Sequence, residues 1–167
     1  PEAARIAGMP HDAAYGMDVP ADYDWNNHGR DSARIARPFL NTLGLDAQVV
    51  EDICYGIAIH VDDQADFAGR RTPFAETVGD ADNIDRFDAF RIYDNLRFKG
   101  FYELPLSERL DWLTSLLLRL EQLEKMELAT PAAAALWRDK VAFQKMFFQR
   151  LLEQMKAGCL PDETEEL

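Results

Sequence analysis

Apolar side chains recur every three or four residues along most of this 167-residue chain. The pattern is clearest in four stretches, at 27–43, 46–60, 75–97 and 108–126. One face of an α-helix produces this spacing, whereas a half-buried strand alternates with a period of two, and no segment here alternates in that way. The sequence therefore predicts an all-α fold, a bundle of helices.

Several residues are typical of helix ends. Gly44 is expected to end the helix over 27–43, and Ser107 to cap the helix that follows it. Thr130 and Pro131 are a cap followed by proline at the first helical position, and Gly158 stops the helix that they open. The chain should therefore finish with a pair of long helices.

The length suits one domain. We expect a single all-α domain over 1–167. Within it, 1–98 should form the core that carries a metal site, 106–158 should form the C-terminal pair of helices, and 159–167 should form an acidic tail. The chain opens without Met, directly in a short helix predicted over 2–10, so we also expect further residues upstream.

Charge and cysteine content exclude several classes of protein. Thirty acidic against 18 basic residues give a net charge of −12, which opposes binding to a nucleic-acid polymer. No apolar run approaches the roughly 18 residues of a membrane span, and no secretory signal is recognisable. Cys54 and Cys159 are too few for a disulfide framework and are interpreted as reduced thiols, so a cytoplasmic location is expected.

Polar residues take part in several of the predicted buried faces. The face of the first long helix is formed by His28, Ser32, Ile35, Phe39 and Leu43. The next is formed by Val49, Ile53, Ile57 and His60. The face over 75–97 is formed by Asp82, Asp85, Ala89, Ile92 and Leu96. His28, His60 and Asp82 are therefore expected to point inward.

The three histidines all lie at predicted helix ends: His11, which is followed by Asp12, and the separate His28 and His60. Helix ends can converge on one cavity without burying unpaired backbone groups, and imidazole and carboxylate are common ligands of transition metals. Three aspartates fall within six residues around Asp82, and a cation would relieve their repulsion. Taken singly, each histidine could instead be a capping or solvated residue, and the aspartates a helix N-terminus.

The order of these residues resembles the HD-domain superfamily of metal-dependent phosphohydrolases, over 1–98. The segment 3–12 resembles the helix that ends in the family's His-Asp pair, and 28–36 the following helix with its histidine. The segment 57–60 is similar to the next histidine position, and 79–85 to the family's Asp-Ala-Asp-x-x-Asp segment. The long C-terminal helices are similar to those of small bacterial HD hydrolases.

This resemblance implies a divalent ion (Mn, Fe, Co, Ni, Zn or Mg) held by His11, Asp12 and Asp82. A water activated by the metal would attack a small phosphorylated metabolite, with a nucleotide as first choice. His28 and His60 would complete a second metal position or hydrogen-bond to the substrate phosphate. Together with Asp12 they would be the catalytic residues.

Four basic residues follow the predicted ligand helices and are candidates for binding the substrate phosphate. They are Arg70, Arg71, Arg97 and Lys99. Because the protein is acidic, such contacts would help to hold an anionic substrate. The alternative for each is a solvated surface charge.

The chain also departs from the family pattern. The ten residues before His11 contain no histidine to match the family's first ligand, and Ala14 stands where glycine often follows the His-Asp pair. No acidic pair follows Asp12, which argues against the alarmone hydrolases of the superfamily. Two other functions stay open: an HD-fold di-iron oxygenase built from the same residues, and a helical interaction module that binds no metal.

Overall fold

The computed structural model describes residues 2–158, and every regular element in this range is helical. The predicted all-α class is confirmed, since these residues contain no strand. The α-helices of this range are α1 Glu2–Gly8, α2 His28–Asn41, α3 Ala47–Ile59, α4 Pro73–Asp85, α5 Ala89–Phe98, α6 Leu106–Leu123 and α7 Pro131–Ala157. None of these helices is long and apolar enough to cross a membrane. Cys159 and the predicted acidic tail lie outside the described range.

The chain divides into two compact units, of which the first contains residues through Asn83 together with Leu128–Ala133. Its core surrounds α3, in which seven of 13 residues are buried. A helix that is apolar on most sides belongs at the centre of a core, and both α1 and α2 pack against it. The predicted face that includes Ile53 and Ile57 is confirmed, since both side chains are fully buried.

The second unit contains Ile84–Glu127 and the chain from Ala134 onward. The apolar spacing that predicted a helix over 108–126 is confirmed, because Leu113 and Leu120 of α6 lie on its buried face. Trp137 of α7 donates its indole N–H to the carbonyl oxygen of Leu123 at 2.9 Å. The predicted pair of long C-terminal helices is thus present as α6 and α7, while the single domain over 1–167 stays a prediction.

The prediction of one helix over 75–97 is wrong, because α4 and α5 are separated by residues 86–88. Asp88 has a φ of 119°, which a non-glycine residue adopts only where its surroundings hold it there. Its carboxylate accepts the N–H of Ala89 at 2.8 Å and so caps α5, while Phe87 is buried. The apolar spacing continues across this short break, so periodicity alone did not reveal it.

The predicted apolar face of α2 is wrong in its second half. Ile35, Phe39 and Leu43 are all at least 42% exposed. The buried face is formed by His28, Ser32, Ala33, Ala36 and Leu40. Small alanine side chains allow α2 to lie close to α3, so this narrow face is buried while the bulkier residues stay outside.

Helix ends agree with the predictions at one cap and differ at others. Thr130 caps α7, because its Oγ1 accepts the N–H of Ala133 at 3.1 Å. Ser107 is not a cap: α6 already begins one residue earlier, after Pro105. α1 ends at Gly8, two residues before the predicted end.

Candidate metal centre

The three histidines lie at helix ends and use their Nδ1 atoms in the same way. His11 follows α1, His28 begins α2, and His60 follows the last residue of α3. Each Nδ1–H donates to the carbonyl oxygen three residues earlier, at 2.9 Å for His11, 2.6 Å for His28 and 2.7 Å for His60. A carbonyl only accepts, so Nδ1 carries a proton in each ring, and in the neutral form of such a ring the lone pair is on Nε2. Such a bond to a second group is typical of histidines that ligate metals.

The three Nε2 atoms converge on the carboxylate of Asp12. Its Oδ2 lies 3.5 Å from Nε2 of His11, and its Oδ1 lies 3.3 Å from Nε2 of His28 and 3.6 Å from Nε2 of His60. Oδ1 of Asp82 lies 3.8 Å from Nε2 of His11. The structure therefore brings all five predicted ligands together, with Asp12 at their centre.

Two glycines allow the helices to approach closely enough for this arrangement. A Cβ on Gly29 would lie 2.7 Å from a backbone carbonyl oxygen of α3, and one on Gly79 would lie 3.2 Å from the carbonyl oxygen of His60. These distances are shorter than ordinary contacts, so a side chain at either position would push the helices apart. Glycine thus brings α2, with His28, and α4, with Asp82, up to the end of α3.

His60 provides the most informative observation at the site. Its side chain is fully buried, and its Nε2 has no hydrogen-bond partner among residues 2–158. Burial lowers the pKa of His60, which keeps the ring neutral and leaves the Nε2 lone pair exposed to the cluster. An unpaired buried acceptor costs free energy, so this atom calls for a donor or a cation.

His11 has the opposite electrostatic setting. The carboxylate of Asp82 beside its Nε2 raises the pKa of His11. Its side chain is 23% exposed, and that of Asp12 is 44% exposed. The cluster therefore opens to solvent through these two residues, while His60 closes its inner end.

The donor set fits a divalent transition metal. His11, Asp12 and His60 each offer one ligand atom, and these atoms lie within 4.8 Å of one another. Ligand atoms about 2.1 Å from a common ion lie roughly 3–3.5 Å apart, which is close to the separations around Asp12. Nitrogen and carboxylate oxygen together suit Mn, Fe, Co, Ni or Zn. His28 and Asp82 extend this group on either side.

The four basic residues predicted to bind phosphate are divided between the two units. Arg70 is an exposed loop residue. Arg71 forms ion pairs with Asp63 at 2.6 Å and Glu76 at 2.7 Å. Arg97 and Lys99 are exposed and belong to the second unit. Their assignment to a substrate phosphate stays a prediction.

Arg30 has a positioning role that the sequence analysis did not identify. Its Nη1 donates to both carboxylate oxygens of Asp62, at 2.9 and 3.0 Å, and its Nη2 donates to Oδ1 of Asn27 at 2.7 Å. The contact joins the segment before His28 to the segment after His60. Arg30 lies two residues after His28, and Asp62 lies two residues after His60. This repeated spacing is the feature of the sequence from which the ion pair could have been predicted.

Ser32 holds the backbone that carries Asp12. It is fully buried, and its Oγ accepts the N–H of Ala14 at 3.0 Å. Ala14 belongs to the 3₁₀ turn Ala13–Gly16, which begins directly after Asp12. Helical spacing predicted that Ser32 points inward, but its partner lies 18 residues earlier in the chain and was not predictable from it.

Comparison with family models, with curated proteins and with solved structures finds no match for this chain.

Proposed function

We propose that this protein is a metal-dependent phosphohydrolase of the HD type, acting on a small phosphorylated metabolite, with a nucleotide as the expected substrate. The observation that carries the proposal is the buried Nε2 of His60, which faces the Asp12 carboxylate and has no hydrogen-bond partner within residues 2–158. A cation held by His60, Asp12 and His11 would satisfy this lone pair. The order of ligands along the chain, which resembles the HD superfamily, is the second support.

A divalent ion supplies two effects when bound: it lowers the pKa of a water ligand and draws electron density from a phosphoryl oxygen. The reaction itself is a substitution at phosphorus. The oxygen of water forms a bond to phosphorus, the P–O bond to the leaving group breaks, and the leaving oxygen takes up a proton. The water gives up a proton in the same process, so a base close to the reacting atoms is required.

Asp12 is placed to act as that base. Its carboxylate faces all three histidines, yet 44% of its side chain is exposed, so a proton accepted there can pass to solvent. His28 faces the same oxygen of Asp12 as His60 does and is nearly buried, at 6% exposure. We assign His28 to orienting the phosphoryl group and the attacking water, and His60 to holding the cation through its Nε2.

Net charge bears on the substrate. At −12 the chain repels anions in general, and a cation within the cluster would reverse the charge locally. Arg70 and Arg71, in the loop between α3 and α4, are proposed to bind the substrate phosphate. Arg97 and Lys99 are proposed as further phosphate contacts. The substrate is expected to be small rather than a nucleic-acid polymer, and the reaction to take place in the cytoplasm.

The first experiment measures metal. The protein is stripped with chelator, loaded separately with Mn, Fe(II), Co, Ni, Zn and Mg, and its metal content is determined. The proposal expects at least one ion per chain, and loss of that ion in Asp12→Asn. Asp22→Asn, an exposed loop carboxylate, is the matched control and should bind as the unchanged protein does. If no metal binds stoichiometrically, the protein is an interaction module instead.

The second experiment measures the reaction. Nucleoside mono- and triphosphates are supplied to each loaded protein, and released phosphate and pyrophosphate are followed with and without oxygen. We expect release that persists under anaerobic conditions, stops with chelator and is absent in Asp12→Asn. Oxygen consumption with iron, without cleavage of any phosphate bond under any metal, would establish the oxygenase and overturn the proposal.

A further inference from the structure

Two large aromatic side chains are exposed next to the cluster of predicted metal ligands. Tyr15 is 59% exposed and Trp25 is 43% exposed, yet their rings are stacked, with centroids 4.9 Å apart and an interplanar angle of 17°. Core packing does not explain two rings that remain in solvent to this extent. An exposed pair of parallel rings presents flat π surface, which is what a second planar molecule requires for stacking.

The pair is tied to the residues that form the cluster. The Tyr15 ring lies 5.1 Å from the His28 ring, between centroids, and the Tyr15 N–H donates to the carbonyl oxygen of Asp12 at 3.0 Å. The carbonyl oxygen of Trp25 accepts the Nδ1–H of His28 at 2.6 Å. The aromatic pair and the ligand cluster therefore share their supporting backbone, and His28 touches both.

A third aromatic residue, Tyr23, contacts Trp25. The two rings are perpendicular, with centroids 5.0 Å apart at 83°, and the Tyr23 hydroxyl donates to the carboxylate of Asp31 on α2. Trp25 also lies in the short 3₁₀ turn Trp25–Asn27, which leads directly into α2. These contacts limit the movement of the indole, which is the property of a preformed platform rather than of a loose surface side chain.

We propose that Tyr15 and Trp25 form a stacking subsite for the planar heteroaromatic ring of the substrate, a nucleobase, while the phosphate occupies the metal cluster. The placement of the phosphate rests on the proposed function; the stacking subsite rests on the aromatic pair itself. His28 contacts both places, with its ring 5.1 Å from the Tyr15 ring and its Nε2 3.3 Å from Oδ1 of Asp12, so one nucleotide is long enough to reach both.

The surroundings favour the base rather than the phosphate at the aromatic pair. Asp18, Asp22 and Asp24 lie in the same loop, so an anionic group there would be repelled. Every base offers a π face, and stacking on an aromatic side chain therefore binds bases with little regard to their hydrogen-bonding edges. Loss of one such stack typically weakens binding roughly tenfold.

The test compares two substrates that share a phosphorylated ribose but differ in the base. Hydrolysis of adenosine 5′-monophosphate and of ribose 5-phosphate is measured in the metal-loaded protein and in Tyr15→Ala, Trp25→Ala and Trp25→Leu. Trp25→Leu keeps apolar bulk without a π face and guards against a folding defect, which circular dichroism checks. Tyr102→Ala removes an exposed tyrosine of the second unit, 77% exposed against 59% for Tyr15, and is the matched control.

In the Tyr15 and Trp25 variants we expect the KM for adenosine 5′-monophosphate to rise roughly tenfold relative to the KM for ribose 5-phosphate. In Tyr102→Ala this ratio should not change. An unchanged ratio in Trp25→Leu, with hydrolysis intact, would overturn the stacking subsite while leaving the phosphohydrolase standing.

A binding measurement separates this proposal from the hydrolysis. Adenosine, which carries no phosphate, is titrated into the metal-free protein by saturation-transfer NMR. Binding that is lost in Trp25→Ala and retained in Trp25→Phe supports the subsite even if no phosphate ester is cleaved. Binding that is equal in the unchanged protein and in Trp25→Ala, or absent from both, contradicts it.

Discussion

The two units of the chain bury different chemistry. Of the buried polar side chains, His28, Ser32, His60 and Asp80 belong to the first unit, and Gln144 belongs to the second. The core of the second unit consists of large apolar groups such as Trp137, Phe148, Leu113 and Leu120. The first unit also buries large apolar groups such as Leu40, Ile53 and Ile57, and glycine and alanine in addition let its helices approach closely.

This difference shows that a helical core can either stabilise the fold or hold polar residues that form a site. Large apolar side chains at helical spacing stabilise through the area that they remove from water, and no single polar contact is needed. A buried polar residue costs free energy unless it is paired, and His60 is buried with its Nε2 unpaired within the described residues. Such a residue indicates function rather than stability, so substitutions in the two units should affect different measurements.

The largest expected loss of stability is in the second unit. Leu120→Ala removes a side chain that is 1% exposed, and should lower the free energy of unfolding by about 2–5 kcal/mol. Leu118→Ala, two residues away and 60% exposed, should change it by less than about 0.5 kcal/mol. Denaturant unfolding measures both. If Leu120→Ala also weakens metal binding by the folded protein, the division between the units fails.

The reverse pattern is expected for the histidines. His60→Ala or His28→Ala should reduce metal affinity and phosphate release by about 100-fold or more, since even groups that support a metal ligand contribute 10–100-fold. Thermal stability without metal should fall much less. His60→Ala loses the packing of the ring, but it also removes an unpaired buried acceptor, and the second effect offsets part of the first. Metal titration and thermal unfolding are measured side by side. Equal losses in both would indicate a structural role.

Glycine substitution should affect stability and metal binding together. Gly29→Ala places a Cβ 2.7 Å from a carbonyl oxygen of α3, and the resulting displacement should lower the free energy of unfolding by about 1–3 kcal/mol and weaken metal binding. Gly8→Ala is the matched control, because no atom outside its chain neighbours and the backbone of its own helix lies within 4 Å of its Cβ position. Calorimetry and metal titration are carried out on both variants. If Gly29→Ala changed neither quantity, α2 would not lie as close to α3 as described above.

Ser32→Ala should have a smaller effect. It leaves the N–H of Ala14 without its acceptor, and we expect a loss of about 1 kcal/mol together with weaker metal binding, because the turn after Asp12 loosens. Ser115→Ala, on an exposed position of α6, should be neutral. Retention of full metal affinity in Ser32→Ala would show that the turn is held by other contacts.

The smallest effect concerns alkaline pH. Burial and the hydrogen bond to the Asp31 carboxylate raise the pKa of Tyr23 to about 12, from an ordinary value of 10.0. A group whose pKa is raised by folding contributes stability that is complete below the unfolded pKa and is lost as the pH rises through the folded one. Stability should therefore decline between about pH 10 and pH 12, and Tyr23→Phe should flatten this part of the profile. Absorbance of tyrosinate follows the titration, and ionisation of Tyr23 near pH 10 would contradict it.

Much of the fold was predictable because helix periodicity is a local property. Spacing along the chain predicted α3 and α6, with Leu113 and Leu120 as examples, and the residues at its two ends predicted α7. It failed at residues 86–88, where a break three residues long leaves the apolar spacing intact. It also failed on the outer half of α2, because hydrophobicity favours Phe39 whereas the close approach to α3 buries Ala36.

The candidate site was predictable in its membership and not in its arrangement. The sequence alone determined that few histidines were available as ligands, since it contains three, each at a predicted helix end. Only the tertiary structure decided that their Nε2 atoms meet at Asp12, that His60 is left unpaired within residues 2–158, and that Tyr15 lies against His28. The reason is physical: helical spacing depends on neighbours three and four residues away, whereas convergence depends on how closely separate helices approach, which the missing side chain of Gly29 determines.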